Sequence, residues 1–506
     1  MLRARPSFGF CGPTALAAVL AALAVPVSSA EWTQRASVGV GSYYTDNVCL
    51  APDDQEGKLV GTFTPNLALR GEGGRARMAL RGAIEYNTLG DSDLNCQNRG
   101  FGGNLRNREP WVPRINFVAS VDAIDKWFVL EADAAASQNP VNPFAAGGDE
   151  NLNALGNTNI TYQWGAGARL QRSYEDAWSV LLRYNYSEQY NTANVGIGDN
   201  TQDLITLDAG MLPQSSRLSF RVGGVYREVD IAEQRGLPAF TNRLSRLELR
   251  SFFAVSSSWV LNATIGEEDN VFTSQSDEID GGYWDAGIRW APNPRIVVGL
   301  GYGERFFGEA PRFDMTYRHK RSRFTASYAR DVQFPRNLRA GDSDFDPVDP
   351  LEPGVGELPG DGIVNPNTPT FVGNAPVLTE RFNLRYTFAA RRTTMTISGT
   401  ESLQRRVSDG RDGEFRIALA SISRRLSRAS SVYARVRWQE NQAQGGAIDG
   451  EFAQGLETWQ YTAGLSRRLS PNTVVGLQYR YTDQTSRQNA NSFVEQRIGA
   501  TFNYIF

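Results

Sequence analysis

The amino-acid sequence predicts an all-β fold: a transmembrane, antiparallel, up-and-down β-barrel of about 22 strands (roughly 20 to 24), with both termini on the periplasmic side. Three observations predict it. Segments with strict two-residue alternation of apolar and polar side chains recur through nearly all of the chain after residue 30, and a strand points successive side chains to opposite faces. The connections between these segments interleave in two kinds, short polar turns and longer Gly-, Asn- and Asp-rich loops. No segment after the N-terminal region holds 18 apolar residues in a row, so a membrane would have to be crossed by strands, which closure into a barrel permits.

In chain order, Arg3 and Arg5 precede an apolar run from Thr14 to Val27, followed by Ser28-Ser29-Ala30 before Glu31. A basic start, a short apolar middle and small residues at a cleavage point describe a secretory signal peptide over residues 1–30, cut after Ala30. Cys11 would leave with it. Without Arg3 and Arg5 the chain keeps 50 basic residues against 55 acidic ones, a net charge near −5, and nothing in this balance argues for a nucleic-acid partner. No linker, charge block or low-complexity stretch divides residues 31–506, so one large repetitive architecture is expected rather than several domains.

Strands are expected near 34–45, 57–70, 75–88, 113–123, 126–136, 158–171, 177–190, 201–211, 217–229, 241–254 and 258–267 in the first half. In the second half they are expected near 281–290, 295–306, 311–319, 323–331, 378–389, 393–404, 414–424, 431–440, 456–468, 473–484 and 492–506. Trp178, Val180, Leu182, Tyr184 and Tyr186 alternate with Ser179, Arg183, Asn185 and Ser187, and Phe382, Leu384, Tyr386 and Phe388 with Arg381, Asn383, Arg385 and Thr387. The last segment puts Ile498, Ala500, Phe502, Tyr504 and Phe506 on one face and Glu495, Arg497, Gly499, Thr501 and Asn503 on the other. Ending flush at an aromatic residue, it resembles the terminal strand of Gram-negative outer-membrane barrels. That resemblance implies a closing strand whose Phe502, Tyr504 and Phe506 form a C-terminal signal for the barrel-assembly machinery.

A soluble sandwich gives the same alternation, with its polar face toward water; the connections separate the two. Turns such as Ser173 to Asp176, Pro292 to Pro294 and Ser427 to Ser430 interleave strictly with longer loops, among them 89–112, 137–157, 332–377 and 441–455. Short turns on one rim, long loops on the other and an even strand number are what an outer-membrane barrel requires. Trp32, Tyr43, Tyr44, Trp127, Trp164, Tyr190, Trp284 and Trp290 lie near strand ends, as interfacial aromatic girdles would, although ordinary β-propensity also places them there.

Few residues carry chemistry. Cys49 and Cys96 fall in the first two long loops, neighbours on one rim, where an oxidising envelope favours a structural disulfide. His319 is the only histidine and sits in the short turn Tyr317 to Arg323 among Arg318, Lys320 and Arg321, the wrong rim for a catalytic base at an outer mouth. One histidine also argues against a histidine-rich metal site. Asp342, Asp344 and Asp346 alternate as calcium ligands do, but Pro347 stands where a calcium loop needs glycine. No catalytic residue, metal or cofactor is therefore expected.

Only Lys58, Lys126 and Lys320 are lysine; all other basic residues are arginine. Arg183, Arg217, Arg221, Arg227, Arg381, Arg385, Arg435, Arg437, Arg480 and Arg497 take the lumen side of the alternation. Guanidinium groups suit carboxylates, phosphates and sugar hydroxyls, so they line a passage for a polar, anionic polymer or form an internal ion-pair lattice with residues such as Glu248, Glu414 and Glu495. A barrel of about 22 strands has a wide lumen that is usually plugged. TonB-dependent transporters plug it with an N-terminal domain, whereas here the first strand is expected almost at Glu31, leaving inward-folded loops or an open pore.

Tyr44-Thr45-Asp46-Asn47, Thr64-Pro65-Asn66-Leu67 and Arg70-Gly71-Glu72-Gly73-Gly74-Arg75, with Pro311-Arg312-Phe313, Tyr317-Arg318-His319 and Ala326-Ser327-Tyr328, resemble the outer-membrane β-barrel family associated with PEP-CTERM/exosortase systems. The resemblance covers most of the chain in short strand-and-turn motifs. It implies a non-enzymatic channel or export component of an exopolysaccharide system in the Gram-negative outer membrane, with outer-membrane lipid, polysaccharide and periplasmic export proteins as partners. It carries over no catalytic or binding residues. Asp46 and Asn47 read as loop initiators and Gly71, Gly73 and Gly74 as turn residues. A general diffusion porin and a structural barrel that transports nothing are the alternatives.

Overall fold

The computed structural model describes residues 31–89, 96, 110–124, 127–145, 157–175, 177–192, 198–212, 216–233, 238–272, 279–336, 375–408, 410–444, 455–487 and 491–506. The expected signal peptide and the Asp342, Asp344 and Asp346 stretch lie outside the described residues.

The strands follow the alternation. They are β1 Glu31–Thr45, β2 Lys58–Glu72, β3 Ala76–Asn87, β4 Trp111–Ile124, β5 Phe128–Pro140, β6 Thr158–Tyr174, β7 Trp178–Asn191 and β8 Asn200–Met211. Next come β9 Leu218–Ile231, β10 Phe240–Ala254, β11 Trp259–Val271, β12 Gly281–Asn293, β13 Ile296–Arg305, β14 Gly308–Glu309, β15 Arg312–His319 and β16 Ser322–Gln333. The last are β17 Val377–Ala389, β18 Thr393–Arg406, β19 Asp412–Arg425, β20 Ser430–Gln444, β21 Gly455–Ser470, β22 Thr473–Ser486 and β23 Phe493–Ile505. All belong to one sheet in which neighbours pair antiparallel. The two-residue β14 pairs only with the end of β13, so the wall has 22 strands. It closes where β1 pairs β23, from Ser37↔Ile505 to Thr45↔Arg497.

Hydrogen bonds across that seam tie its upper end. Asn47 donates its side-chain amide to the carbonyls of Ala51 (2.7 Å) and Val494 (2.9 Å), and the Asp46 carboxylate accepts the Gln496 N–H at 2.8 Å. Thr45 donates to Glu495 at 2.6 Å. The loop-initiating pair Asp46-Asn47 thus fastens the first strand to the last.

One face of every strand is apolar and bare. Leu247 is 60 %, Ile265 61 % and Leu477 57 % exposed, which no soluble monomer sustains around its whole girth. A lipid bilayer is the solvent that accepts such a belt, and the closed ladder leaves no backbone edge inside it. Lipid-spanning strands need only about 9 to 11 residues, so strands such as β6, at 17 residues, project beyond the membrane.

The two rims differ as expected, with one correction. On the loop rim the connections 306–311 and 407–411 are as tight as the turns opposite. Gly308 and Gly410 adopt φ of +90° and +69° there, left-handed values glycine reaches without steric cost. Loop length therefore does not alternate strictly.

Candidate functional site: an arginine-lined lumen

The alternation that bares one face to lipid turns the other into a polar lumen wall. Around β3–β16 carboxylates neutralise many of its arginines. Glu131, whose side chain is 4 % exposed, meets Arg169 at 3.3 Å and Arg183 at 2.8 Å, and those two arginines are direct partners across β6 and β7. The motif repeats: Arg221 and Arg250 face each other across β9 and β10 and share Asp208, while Glu248 holds Arg250 at 3.1 Å and Arg246 at 3.5 Å. Arg305 contacts Glu268 and Asp331, both at 2.6 Å, Arg312 pairs with Asp285, and Arg114 with Glu85 at 3.2 Å. Like charges placed opposite each other repel across a ladder, and the interposed carboxylate cancels that cost. Arg497 is held by Glu495 at 2.8 Å.

From β17 to β22 the chemistry changes. The lumen-facing positions of these six strands contain no aspartate or glutamate; their acidic residues, Glu380, Glu401, Asp412, Glu414, Glu440, Glu457 and Asp483, all fall on the outer face. The lumen face carries Arg381, Arg385, Arg435, Arg437 and Arg480 among threonine, serine, asparagine and glutamine, interrupted by Phe415, Ile417, Leu419 and Tyr433. Arg381 reaches Gln333 at 3.0 Å and Arg437 reaches Gln439 at 2.6 Å. Among the described residues the guanidinium groups of Arg385 and Arg435 have no hydrogen-bond or ion-pair partner.

At the loop rim, contacts cross the lumen. Phe334, just after β16, is buried against Phe272 and beneath the Arg227 guanidinium of β9, 5.2 Å from the ring centroid. Arg336 donates to the Ser187 hydroxyl on β7 at 2.7 Å, and Gln189 donates to the Arg336 carbonyl at 3.3 Å. Twenty-two strands about 4.8 Å apart would make a round barrel at least ~34 Å across. The three residues from Phe334 to Arg336 reach only ~10 Å, so opposite walls approach each other here. From the other side Phe144, after β5, stacks on Phe415 of β19 at 5.7 Å, and Asn441 of β20 donates to the Pro143 carbonyl at 2.5 Å. Of the expected alternatives, inward-folding loop segments are what the described residues display.

The first two loops fold inward too. Cys49 and Cys96 are joined, with 1.96 Å between sulfurs and Cα atoms 5.4 Å apart, and pack with Val48, Leu89 and the lumen-side Val60. The bond closes a separation of 47 residues, for which the chain-entropy model gives about 4 kcal/mol. Cys49→Ser is expected to speed protease cleavage of these loops in proteoliposomes at least tenfold while leaving the barrel core resistant; equal cleavage rates would show that the bond does not hold the loops.

Several residues sit elsewhere than the sequence suggests. Arg217 lies one residue before β9, exposed in the turn rather than on the lumen wall. Glu414 is not an internal brace: it shares the outer face of β19 with Ile422 and pairs there with Arg416, because it is two residues from the loop end of a strand that overshoots the membrane. Tyr43 belongs to no girdle. Its odd position on β1 turns it into the lumen, where its ring covers Gly41 and Gly499. His319 ends β15, its ring 6.4 Å from that of Tyr317. Sequence inspection passed over Glu131, Asp208 and Glu268, carboxylates on the lumen side of the alternation whose partners become identifiable only with the strand register.

No family model and no curated protein matches this chain. Among solved structures, a mutant form of the ferric enterobactin receptor of Pseudomonas aeruginosa is similar at 12 % identity and a TM-score of 0.52, covering 95 % of this chain and 81 % of that one. The FrpB iron transporter of Neisseria meningitidis is similar at 9 % identity and a TM-score of 0.51, covering 94 % and 83 %. At these identities the likeness is one of fold: a closed antiparallel barrel of 22 strands.

Proposed function

We propose that this chain is a non-enzymatic outer-membrane barrel providing a passage for a polar polymer, and that it serves an exopolysaccharide system of the PEP-CTERM/exosortase kind. The observation that carries the passage is the lumen wall of β17–β22, which bears guanidinium, hydroxyl and amide groups beside an apolar strip on β19 and no carboxylate. Outer-membrane placement is supported by the lipid-facing belt, the even strand number and the start of β1 and end of β23 on the short-turn rim. The exopolysaccharide assignment rests on the short motifs quoted from the sequence. Deleting the protein is expected to strand polysaccharide in the periplasm while small-solute uptake is unchanged. Unchanged polysaccharide with impaired small-solute uptake would instead make it a diffusion porin.

A second reading takes its support from the fold likeness and from the segments crossing the mouth: uptake of an iron compound, as named for the similar receptors. Growth of the deletion strain on ferric enterobactin as sole iron source separates the two. On either reading β23 closes the ring, and Phe502, Tyr504 and Phe506 share its lipid face. Replacing Tyr504 and Phe506 together by alanine is expected to lower the assembled fraction in cells several-fold; an unchanged fraction removes their role as an assembly signal.

A further inference from the structure

Resting on the passage proposed above, we propose that the lumen wall of β17–β22 is a track that binds a carboxylate-bearing polysaccharide. Strand register makes the track continuous. Thr387, Thr396, Ser421, Arg435, Thr462 and Arg480 are successive partners from β17 to β22, and Arg480 in turn faces Arg497. A second row, two residues nearer the loop rim, runs from Arg385 through Ser398 and Leu419 to Arg437, Gln460 and Thr482. Strands lie ~4.8 Å apart, so Arg435 and Arg480 are ~10 Å from each other along the row. Barrel strands tilt by about 35–45°, so the rows climb the wall diagonally, as an extended polymer moving through the lumen would.

The carboxylates that brace Arg169, Arg183, Arg221, Arg250 and Arg305 have no counterpart on this sector. Across β6/β7 and β9/β10 the opposed pairs Arg169–Arg183 and Arg221–Arg250 each enclose a carboxylate, Glu131 and Asp208. Here the same strands carry acidic residues, but every one faces outward, and the guanidinium groups of Arg385 and Arg435 have no partner among the described residues. One-signed charge on a concave, low-dielectric wall concentrates counter-ions. Guanidinium groups flanked by hydroxyls and amides offer a polyuronate bonds to both its carboxylates and its ring hydroxyls.

The test uses the full barrel in detergent and fluorescein-labelled polygalacturonate as probe, read by fluorescence anisotropy, with neutral dextran of matched length alongside. The wild-type barrel is expected to bind polygalacturonate in a salt-sensitive way and dextran at least tenfold more weakly. Arg385→Gln with Arg435→Gln should weaken polygalacturonate binding at least tenfold and leave the heat-modifiable gel mobility of the folded barrel intact, and Arg385→Lys with Arg435→Lys should restore most of it. Equal binding of dextran, or unchanged affinity in the folded glutamine variant, overturns the track. In planar bilayers the wild type should carry an anion-selective current that polygalacturonate blocks. Binding without current would retain the track and overturn the passage, whereas an open but cation-selective pore that the probe neither binds nor blocks would do the reverse.

Discussion

Gly210→Val is expected to leave little folded barrel. Gly210 lies near the turn end of β8, opposite Ser179 of β7 and Arg221 of β9. Its φ is +148°, and a Cβ there would lie 2.3 Å from the Phe220 carbonyl oxygen and 2.6 Å from the Arg221 Cα. Those atoms are backbone, so relief requires the β8–β9 ladder to part. Arg221 arches over the same glycine, donating to the Ser179 hydroxyl at 3.0 Å and the Met211 carbonyl at 3.2 Å, and would be displaced with it. Strain at a positive φ costs about 1–3 kcal/mol and overpacking about the same again, a large share of ordinary domain stability. Refolding into lipid vesicles, scored by heat-modifiable mobility, should give a mostly unfolded valine variant and an intermediate Gly210→Ala; a valine variant folding like wild type contradicts the clash.

Glu131→Gln is the second large effect. It removes the charge between Arg169 and Arg183, leaving two guanidinium groups as direct cross-strand partners. Breaking a buried ion pair costs about 3–5 kcal/mol. The side chains of Arg169 and Arg183 are 33 % and 27 % exposed to the lumen, so screening lowers the expected loss to about 2 kcal/mol. Two features mark the cause as repulsion rather than lost packing. The deficit in urea stability should shrink in about 1 M salt, where the screening length is ~3 Å. Adding Arg169→Gln should recover most of the loss. A deficit indifferent to both would assign Glu131 a packing role.

The loop ends taught the opposite lesson from the strands. Alternation around Trp178, Val180 and Leu182 placed β7 and its faces without any partner strand, and the same counting put Arg183, Arg221 and Arg381 on the lumen side. It failed where a residue lies past a strand end, as Arg217 does, or where the strand overshoots the membrane, as at Glu414, because two-residue periodicity carries no information about height. For Tyr43 the signal was present, since the neighbouring Val40 and Tyr44 take the other face, and aromatic identity outweighed it. Nothing local announces that Phe144 packs on Phe415 or that Arg336 reaches Ser187. Those pairs lie eight or nine strands apart around the ring.

The sequence by itself determined that this chain is a membrane-crossing β-barrel, roughly how many strands form it and which face of each strand meets lipid. Alternation and turn chemistry belong to a few consecutive residues, so they survive without knowledge of neighbours. Only the tertiary structure decided which arginines are neutralised and which stand in a carboxylate-free sector, because an ion pair depends on the register of adjacent strands and on how the wall bends across its own lumen. The seam between β1 and β23 is of the same kind: it joins residues more than 450 positions apart, and the first and last strands meet only through the closure of the whole ring.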